Sequence, residues 1–236
     1  MPRNKLPQKS SDPEIDAFLQ QVKATPVAKR VERRGRLLFA MDATASREPL
    51  WDRACHIQGQ MFEETSSIGL LDVQLVSYRG FMEIIATPWT NNAQDLLSHM
   101  TSIYCAAGQT QIARVLQHGI SETGQKPVQA LIFVGDAMEE DPTTLNRLAG
   151  QLGLLGVPVF MFQDGHDPIT ERAFRDISRL SNGAYCRFDT TSAERLRDLL
   201  CAVAVFAVGG HEALENYSKT RGDAVAQLVY QIDKSS

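Results

Sequence analysis

The sequence predicts a doubly wound α/β fold, in which a mostly parallel sheet of six strands carries helices on both faces and one antiparallel strand at an edge. Short apolar runs alternate along the chain with longer segments whose apolar residues recur at helical spacing. The predicted order is βαββααβαβαβα, and strands separated by helices are expected to be parallel because the helix supplies the crossover. One pair differs: the turn at Arg79-Gly80 has two residues, so the strands on either side of it must be antiparallel.

Residues 1–33 are predicted to form an extension that precedes the domain. Residues 1–11 are polar, and Asp12-Pro13 marks the start of a short helix, since aspartate caps free amides and proline fits the first turn. The extension has no apolar stretch of the kind found in signal peptides, which favours a cytoplasmic protein. We interpret the basic run from Lys29 to Arg36 as a solvated lead into the first strand.

The domain is predicted to span residues 34–208. Its first strand, Gly35 to Met41, is a nearly unbroken apolar run, as is typical of a strand covered on both faces. Two Asp-Pro pairs, at 141–142 and 167–168, mark the starts of later helices. The elements after the first strand are helix 51–64, strands 70–78 and 81–86, helices 95–104 and 109–119, strand 128–134, helix 142–155, strand 157–162, helix 168–180, strand 184–188, and a helix capped by Thr191 and Glu194 that ends near Val208. The tail, residues 209–236, is predicted to be partly helical over 224–232.

The composition excludes several classes of partner. A formal net charge of -4 offers no positive field for binding nucleic acid. The longest apolar run, Leu199 to Val208, is about half of the roughly 20 residues that span a bilayer, so we expect a buried helix and no membrane partner. The four cysteines form no CxxC pair, so a zinc site is not expected, and three of them lie in helical patterns, which favours free buried thiols over disulfides.

Acidic and hydroxyl side chains follow the predicted strands at the edge where ligands bind in doubly wound sheets. Asp42, Thr44 and Ser46 alternate after the first strand, and side chains two residues apart in an extended segment point the same way. Thr110 opens a later helix and Asp136 follows the fourth strand. Two carboxylates and three hydroxyls are hard oxygen ligands, so these five residues predict a Mg²⁺ site, with Mn²⁺ or Ca²⁺ as alternatives.

Each of these residues also has a simpler interpretation. Ser46 and Thr110 could each cap a helix, and Asp136 could be a solvated loop acid. Other sites of doubly wound folds lack their motifs here: the sequence contains no GxGxxG, no GxxxxGK[ST] and no GxSxG. A phosphatase of the haloacid dehalogenase type would carry a second acid where Thr44 stands.

On DATAS (residues 42–46), GQT (108–110) and GD (135–136), the chain resembles the von Willebrand factor A (vWA) domain over about residues 34–208. That family has D-x-S-x-S after the first strand, a threonine at a later helix and an aspartate after the fourth strand. Thr44 replaces the middle serine, and Ala137 stands where glycine usually follows the aspartate. The resemblance implies a Rossmann-like fold, a cytosolic bacterial protein, and Mg²⁺ at a metal-ion-dependent adhesion site (MIDAS) whose open position is completed by an acidic side chain of a partner.

The favoured hypothesis is therefore a non-enzymatic protein–protein interaction module. A magnesium-dependent phosphohydrolase that uses Asp42 or Asp136 is one alternative, but Arg47 is the only basic residue beside the motifs. A scaffold with a vestigial metal site is the other alternative. The partner is expected to be a protein that supplies Asp or Glu to the metal. The sequence leaves the oligomeric state of this chain open. Further acidic residues are predicted at the edge of the site, and we call them the acidic rim: Glu139, Glu140, Asp141, Asp164 and Asp167. Because this rim is negatively charged, the Asp or Glu that the partner supplies is expected to be surrounded by basic or neutral residues.

Overall fold

The computed structural model describes residues 34–44, 48–65, 69–188 and 193–220. Four sequence-based expectations lie outside these ranges: the helix start at Asp12-Pro13, the position of Ser46, the cap at Thr191, and the helix over 224–232.

The strands form a single six-stranded sheet, which confirms the predicted fold class. They are β1 (Arg34–Asp42), β2 (Leu70–Arg79), β3 (Glu83–Ala86), β4 (Ala130–Gly135), β5 (Val159–Asp164) and β6 (Tyr185–Phe188). Their order across the sheet is β3-β2-β1-β4-β5-β6. All neighbouring pairs are parallel except β2 and β3, which are antiparallel at the edge.

The described helices lie on both faces of this sheet. Asp141 accepts hydrogen bonds from the backbone N–H groups of Thr143 and Thr144, and Asp167 accepts one from Thr170. Both Asp-Pro pairs therefore cap helices, as predicted. The helices are α1 (Glu48–Thr65), α2 (Ala93–Thr101), α3 (Ile112–Gln125), α4 (Pro142–Leu154), α5 (Pro168–Leu180) and α6 (Ala193–Thr220).

Two apolar cores, one on each face, hold the layers together. Alternate residues of β1 serve each core: Phe39 packs with the side chains of α1, α2 and α6, and Leu38 packs with those of α3, α4 and α5. This two-sided burial is the reason why β1 reads as an unbroken apolar run.

The order of the strands reverses beside β1. The chain proceeds from β1 to β2 and β3 on one side, and then returns to place β4 on the other side of β1. The carboxyl ends of β1 and β4 therefore face the crevice at the topological switch point, where ligands bind in open α/β sheets.

The connection between β2 and β3 differs from the expectation. Arg79 pairs with Glu83, so three residues, Gly80, Phe81 and Met82, form the turn, and the predicted two-residue turn and strand start at 81 are wrong. Gly80 has a φ of 60°, a left-handed conformation that glycine adopts without strain. The turn leaves Phe81 and Met82 outside the strand and exposed to solvent.

Two helices also differ in their bounds from the expectation. The helix predicted over 109–119 begins at Ile112 and ends at Gln125; Gly119 lies inside it, where a Cβ would come within 3.0 Å of Leu131 Cδ1. The last helix continues past Val208 to Thr220, across a kink at Gly210 with φ 68°. None of the described helices is both long and apolar enough to cross a membrane.

Candidate metal centre

Asp42 ends β1 and is buried. Asp42 is only 1% exposed, and its Oδ1 accepts a hydrogen bond of 2.7 Å from the backbone N–H of Thr44. This short-range bond turns the chain away from the strand immediately after the acid. A buried carboxylate is unfavourable unless its charge is balanced, so the position suits a bound cation.

Asp136 follows β4, the neighbour of β1 on the other side of the switch point. Met41 and Val134 are register partners, so the next residues of the two strands, Asp42 and Gly135, lie side by side. A Cβ at Gly135 would lie 3.8 Å from Asp42 Cβ and only 2.8 Å from Phe133 Cε1. Glycine before Asp136 therefore leaves space for the Phe133 ring, and the two aspartates end adjacent strands.

Tyr78 of β2 is a component of this edge that the sequence analysis missed. It is the register partner of Asp42 and is 1% exposed. Burial raises the pKa of Tyr78 well above its usual value, and the carboxylates of Asp42, Glu140 and Asp136 raise it further. Three carboxylates thus act on one buried hydroxyl.

Thr110 is bound to the loop that follows β4. Its hydroxyl accepts a hydrogen bond of 3.1 Å from the backbone N–H of Glu139, and its own N–H donates to the Glu139 carboxylate at 3.2 Å. A hydroxyl oxygen that accepts one hydrogen bond keeps a second lone pair for a metal ion. The Thr110 side chain therefore does not cap α3, which was its simpler interpretation.

The cap of α3 comes from Glu140 instead. Its carboxylate accepts hydrogen bonds from the backbone N–H groups of Ile112, at 2.6 Å, and Ala113, at 2.9 Å. The N-cap residue itself, Gln111, makes no capping bond with its side chain. No local pattern such as a capping box precedes α3, because its cap lies 28 residues further along the chain.

Most of the acidic rim is therefore bound to backbone amides. Glu139 and Glu140 hold the chain around Thr110 and α3, and Asp141 and Asp167 cap α4 and α5. Asp141 and Asp167 cap helices as predicted, whereas the backbone contacts of Glu139 and Glu140 were not predicted. Hydrogen bonds and helix dipoles already offset part of their charge.

The structure thus gathers Asp42, Asp136 and Thr44 at the β1–β4 crevice and links Thr110 to the same loop through Glu139. Ser46 lies outside the described residues. In the ranges that the structure describes, no three His, Cys, Asp or Glu side chains are grouped to hold a metal ion. The predicted ligand set has two carboxylates and completes its shell with hydroxyls, so its chemistry fits a hard cation such as Mg²⁺.

Comparisons with known proteins bear on the fold. No protein-family model matches the sequence, and no curated protein matches it either. The crystal structure of the SpRpn10 VWA domain is similar, at 13% identity and a TM-score of 0.55, over 75% of this chain and 97% of that one. Proximal thread matrix protein 1 from the mussel byssus, with a zinc-occupied MIDAS motif, is similar at 14% identity and a TM-score of 0.58, over 74% of this chain and 47% of that one.

A third similar structure is an aerotolerance-related membrane protein from Bacteroides fragilis, at 16% identity and a TM-score of 0.52, over 71% of this chain and 98% of that one. At such identities the likeness concerns the fold alone. Together with the strand order and the antiparallel edge strand, it shows that this chain has a vWA-like fold.

Proposed function

We propose that the chain is a metal-dependent protein–protein interaction module. In this proposal Mg²⁺ is held by Asp42, Thr44, Ser46, Thr110 and Asp136, and an acidic side chain of a partner protein binds to it. The observation that carries the proposal is that Asp42 and Asp136 directly follow or end two adjacent parallel strands, with Asp42 buried. These strand ends lie at the switch point of the sheet, where this class of fold binds ligands.

The residues around the site would keep the ligands in place before the metal arrives. The Thr44 N–H orients the Asp42 carboxylate, and the Glu139 N–H orients the Thr110 hydroxyl. Bound Mg²⁺ would supply the positive charge that a partner carboxylate needs in order to leave water. Preorganised ligands lower the entropic cost of binding the ion.

The choice of Mg²⁺ rests on the ligand types. Zinc prefers nitrogen and sulfur ligands, whereas carboxylate and hydroxyl oxygens suit Mg²⁺, Mn²⁺ and Ca²⁺. The mussel protein holds zinc at its MIDAS motif, so both ions belong in the test. No catalytic role is proposed for the bound ion.

Isothermal titration of the full chain with Mg²⁺, and separately with Zn²⁺, after removal of metal by a chelator, tests the proposal. We expect saturable binding to the wild type and its loss in Asp42→Asn and in Asp136→Asn, which keep the shape of the side chain and remove its charge. Asp95→Asn is the matched control, because Asp95 is exposed at the start of α2 beside Thr90. Binding of equal affinity in Asp42→Asn and the wild type would reject the proposed site.

A further inference from the structure

Three large apolar side chains are exposed beside the candidate metal centre. Phe81 is 74% exposed, Met82 is 77% exposed and Tyr104 is 66% exposed. We name these three residues the hairpin patch. Single exposed apolar residues are common, but three such residues on one short stretch of surface indicate a binding surface.

The hairpin patch is held firmly in place. The backbone N–H of Gln109 donates to Gly80 O at 3.0 Å, and the Arg114 guanidinium donates to Met82 O. The Arg79 guanidinium stacks 3.7 Å from the centre of the Tyr104 ring and donates to Tyr104 O. A rigid apolar surface loses little conformational entropy when a partner covers it.

The same contacts fix the patch relative to the metal centre. Gly108 packs so closely on the hairpin that a Cβ there would lie 2.2 Å from Gly80 O, which only glycine permits. The side chain of Gln111 donates to Arg79 O at 3.1 Å. Thr110 lies between Gly108 and Gln111 in the chain. The segment that contacts the hairpin therefore also supplies a predicted metal ligand.

Two exposed arginine side chains lie next to the patch. Arg114 and Arg147 are both exposed, and neither forms an ion pair with a described carboxylate. They line a shallow groove of about 470 Å³ whose apolar residues include Ile84 and Leu148. The acidic rim borders the same groove, since Glu140 accepts from Ala113 and Asp141 from Thr144, but these two carboxylates are engaged with the first turns of α3 and α4.

We propose that the hairpin patch and this groove are the second contact surface for the partner of the metal centre. The occupant is an acidic segment of a partner protein that binds the metal through one carboxylate. It places a large apolar side chain on Phe81 and Met82, and a further carboxylate near Arg114 and Arg147. This inference rests on the proposed function and adds the chemistry of the partner to it. Apolar contact supplies affinity, and the two guanidinium groups select acidic over basic segments.

A library of short displayed peptides with a fixed central aspartate tests the inference. The full chain is loaded with Mg²⁺, the library is bound to it, and clones are released with EDTA. We expect released clones to be enriched in a large apolar residue and a second acidic residue near the fixed aspartate. The double substitution Phe81→Ser and Met82→Ser should weaken the selected peptides about tenfold or more. Arg147→Gln should weaken them less, and the loss should shrink at high salt.

Leu154→Ser is the matched control. Leu154 is 91% exposed at the end of α4, on the edge of the sheet opposite to the metal centre, and its substitution should change affinity by less than about twofold. Some clones could need Mg²⁺ and Asp42 for binding and yet bind the Phe81 and Met82 variant as tightly as the wild type. Such clones would reject the hairpin patch as a contact surface and leave the proposed function standing. If Mg²⁺ binds in calorimetry but no clone is released by EDTA, the inference is also rejected. Failure of Mg²⁺ to bind at all would reject the proposed function instead.

Discussion

Thr110 and Glu139 form a reciprocal pair of hydrogen bonds across the carboxyl edge of the sheet. The Thr110 hydroxyl accepts from the Glu139 N–H at 3.1 Å, and the Glu139 carboxylate accepts from the Thr110 N–H at 3.2 Å. The pair joins the segment before α3 to the loop after β4, which begins with Asp136. A threonine contributed by a distant segment is thereby fixed against the loop that begins with Asp136.

The hydroxyl of Thr110 should therefore serve both stability and metal binding. Thr110→Val keeps the shape of the side chain but removes the acceptor of the Glu139 N–H, and we expect a loss of about 1 kcal/mol in the free energy of unfolding. Mg²⁺ affinity should fall as well, because one ligand is lost. Thr110→Ser retains the hydroxyl and should stay close to the wild type in both measurements. Urea unfolding and calorimetric titration, done on the same preparations, check this; equal Mg²⁺ affinity in Thr110→Val would remove Thr110 from the ligand set.

Glu140 should stabilise α3. Glu140→Ala leaves the N–H groups of Ile112 and Ala113 without their acceptor, and we expect a loss of about 1–2 kcal/mol in the free energy of unfolding. Glu140→Gln keeps one acceptor oxygen and should lose about half as much. Urea unfolding of the metal-free chain measures the difference. Unchanged stability in Glu140→Ala would show that the cap contributes nothing in solution.

This role of Glu140 changes how the electrostatics of the rim can be tested. Reversal of Glu139 and Glu140 to lysine would address the rim charge if these side chains were only solvated. Because both accept backbone hydrogen bonds around Thr110 and α3, the same reversal would also disturb the metal centre. Arg147 is the cleaner residue for a charge test, since it forms no ion pair with a described carboxylate and lies outside the ligand set.

The metal-free centre should tolerate the loss of the Asp42 charge. Asp42 is buried and Asp136 follows the adjacent strand, and two like charges near one another destabilise the folded state. We expect Asp42→Asn to be at least as stable as the wild type in the presence of a chelator, by thermal unfolding. With Mg²⁺ present the order should reverse, because only the wild type gains stability from a bound ion. A metal-free Asp42→Asn protein that unfolds well below the wild type would mean that Asp42 acts as a structural acid.

A buried charge pair near the start of β1 should be important for folding. Arg36 is 6% exposed, and its guanidinium lies 3.8 Å from the centre of the Trp89 ring and 3.2 Å from the Glu122 carboxylate. The same carboxylate accepts a hydrogen bond of 2.7 Å from Trp89 Nε1. Arg36→Met would leave Glu122 largely buried without its cation, and we expect a loss of about 3–5 kcal/mol in the free energy of unfolding. Arg175→Met, which removes an exposed pair with Glu171 on α5, is the control and should cost about 1 kcal/mol or less. Urea unfolding distinguishes these outcomes, and equal losses would contradict the predicted importance of burial.

The sequence predicted what local patterns encode. The two-sided apolar run of β1 and the Asp-Pro starts of α4 and α5 are properties of neighbouring residues, and the structure confirms them. The three-residue turn after Arg79 was missed because its length depends on how Glu83 pairs across the sheet. Arg36 was read as part of a solvated basic run, yet it is buried, because its partners Trp89 and Glu122 are far away in the chain.

The candidate site shows the same division. The strand-end positions of Asp42, Thr44 and Asp136 follow from the pattern of strands, so the sequence could place them at one edge. The contribution of Tyr78 depends on its register with Asp42, and the cap by Glu140 depends on a contact 28 residues away. Neither leaves a signal in the local sequence, because polar groups at the end of a strand and acids before a helix occur in many settings.

The most direct test of the metal centre is a crystal structure of the full chain grown with Mn²⁺, in which anomalous scattering locates the ion. We expect one peak at the carboxyl ends of β1 and β4, with Asp42, Thr44, Ser46, Thr110 and Asp136 gathered within about 7 Å and oxygen ligands at about 2.1–2.2 Å or joined through water. A second crystal of Asp42→Asn should lack this peak. A peak bound elsewhere, or one that remains at full height in Asp42→Asn, would contradict the assignment of these residues as the metal ligands.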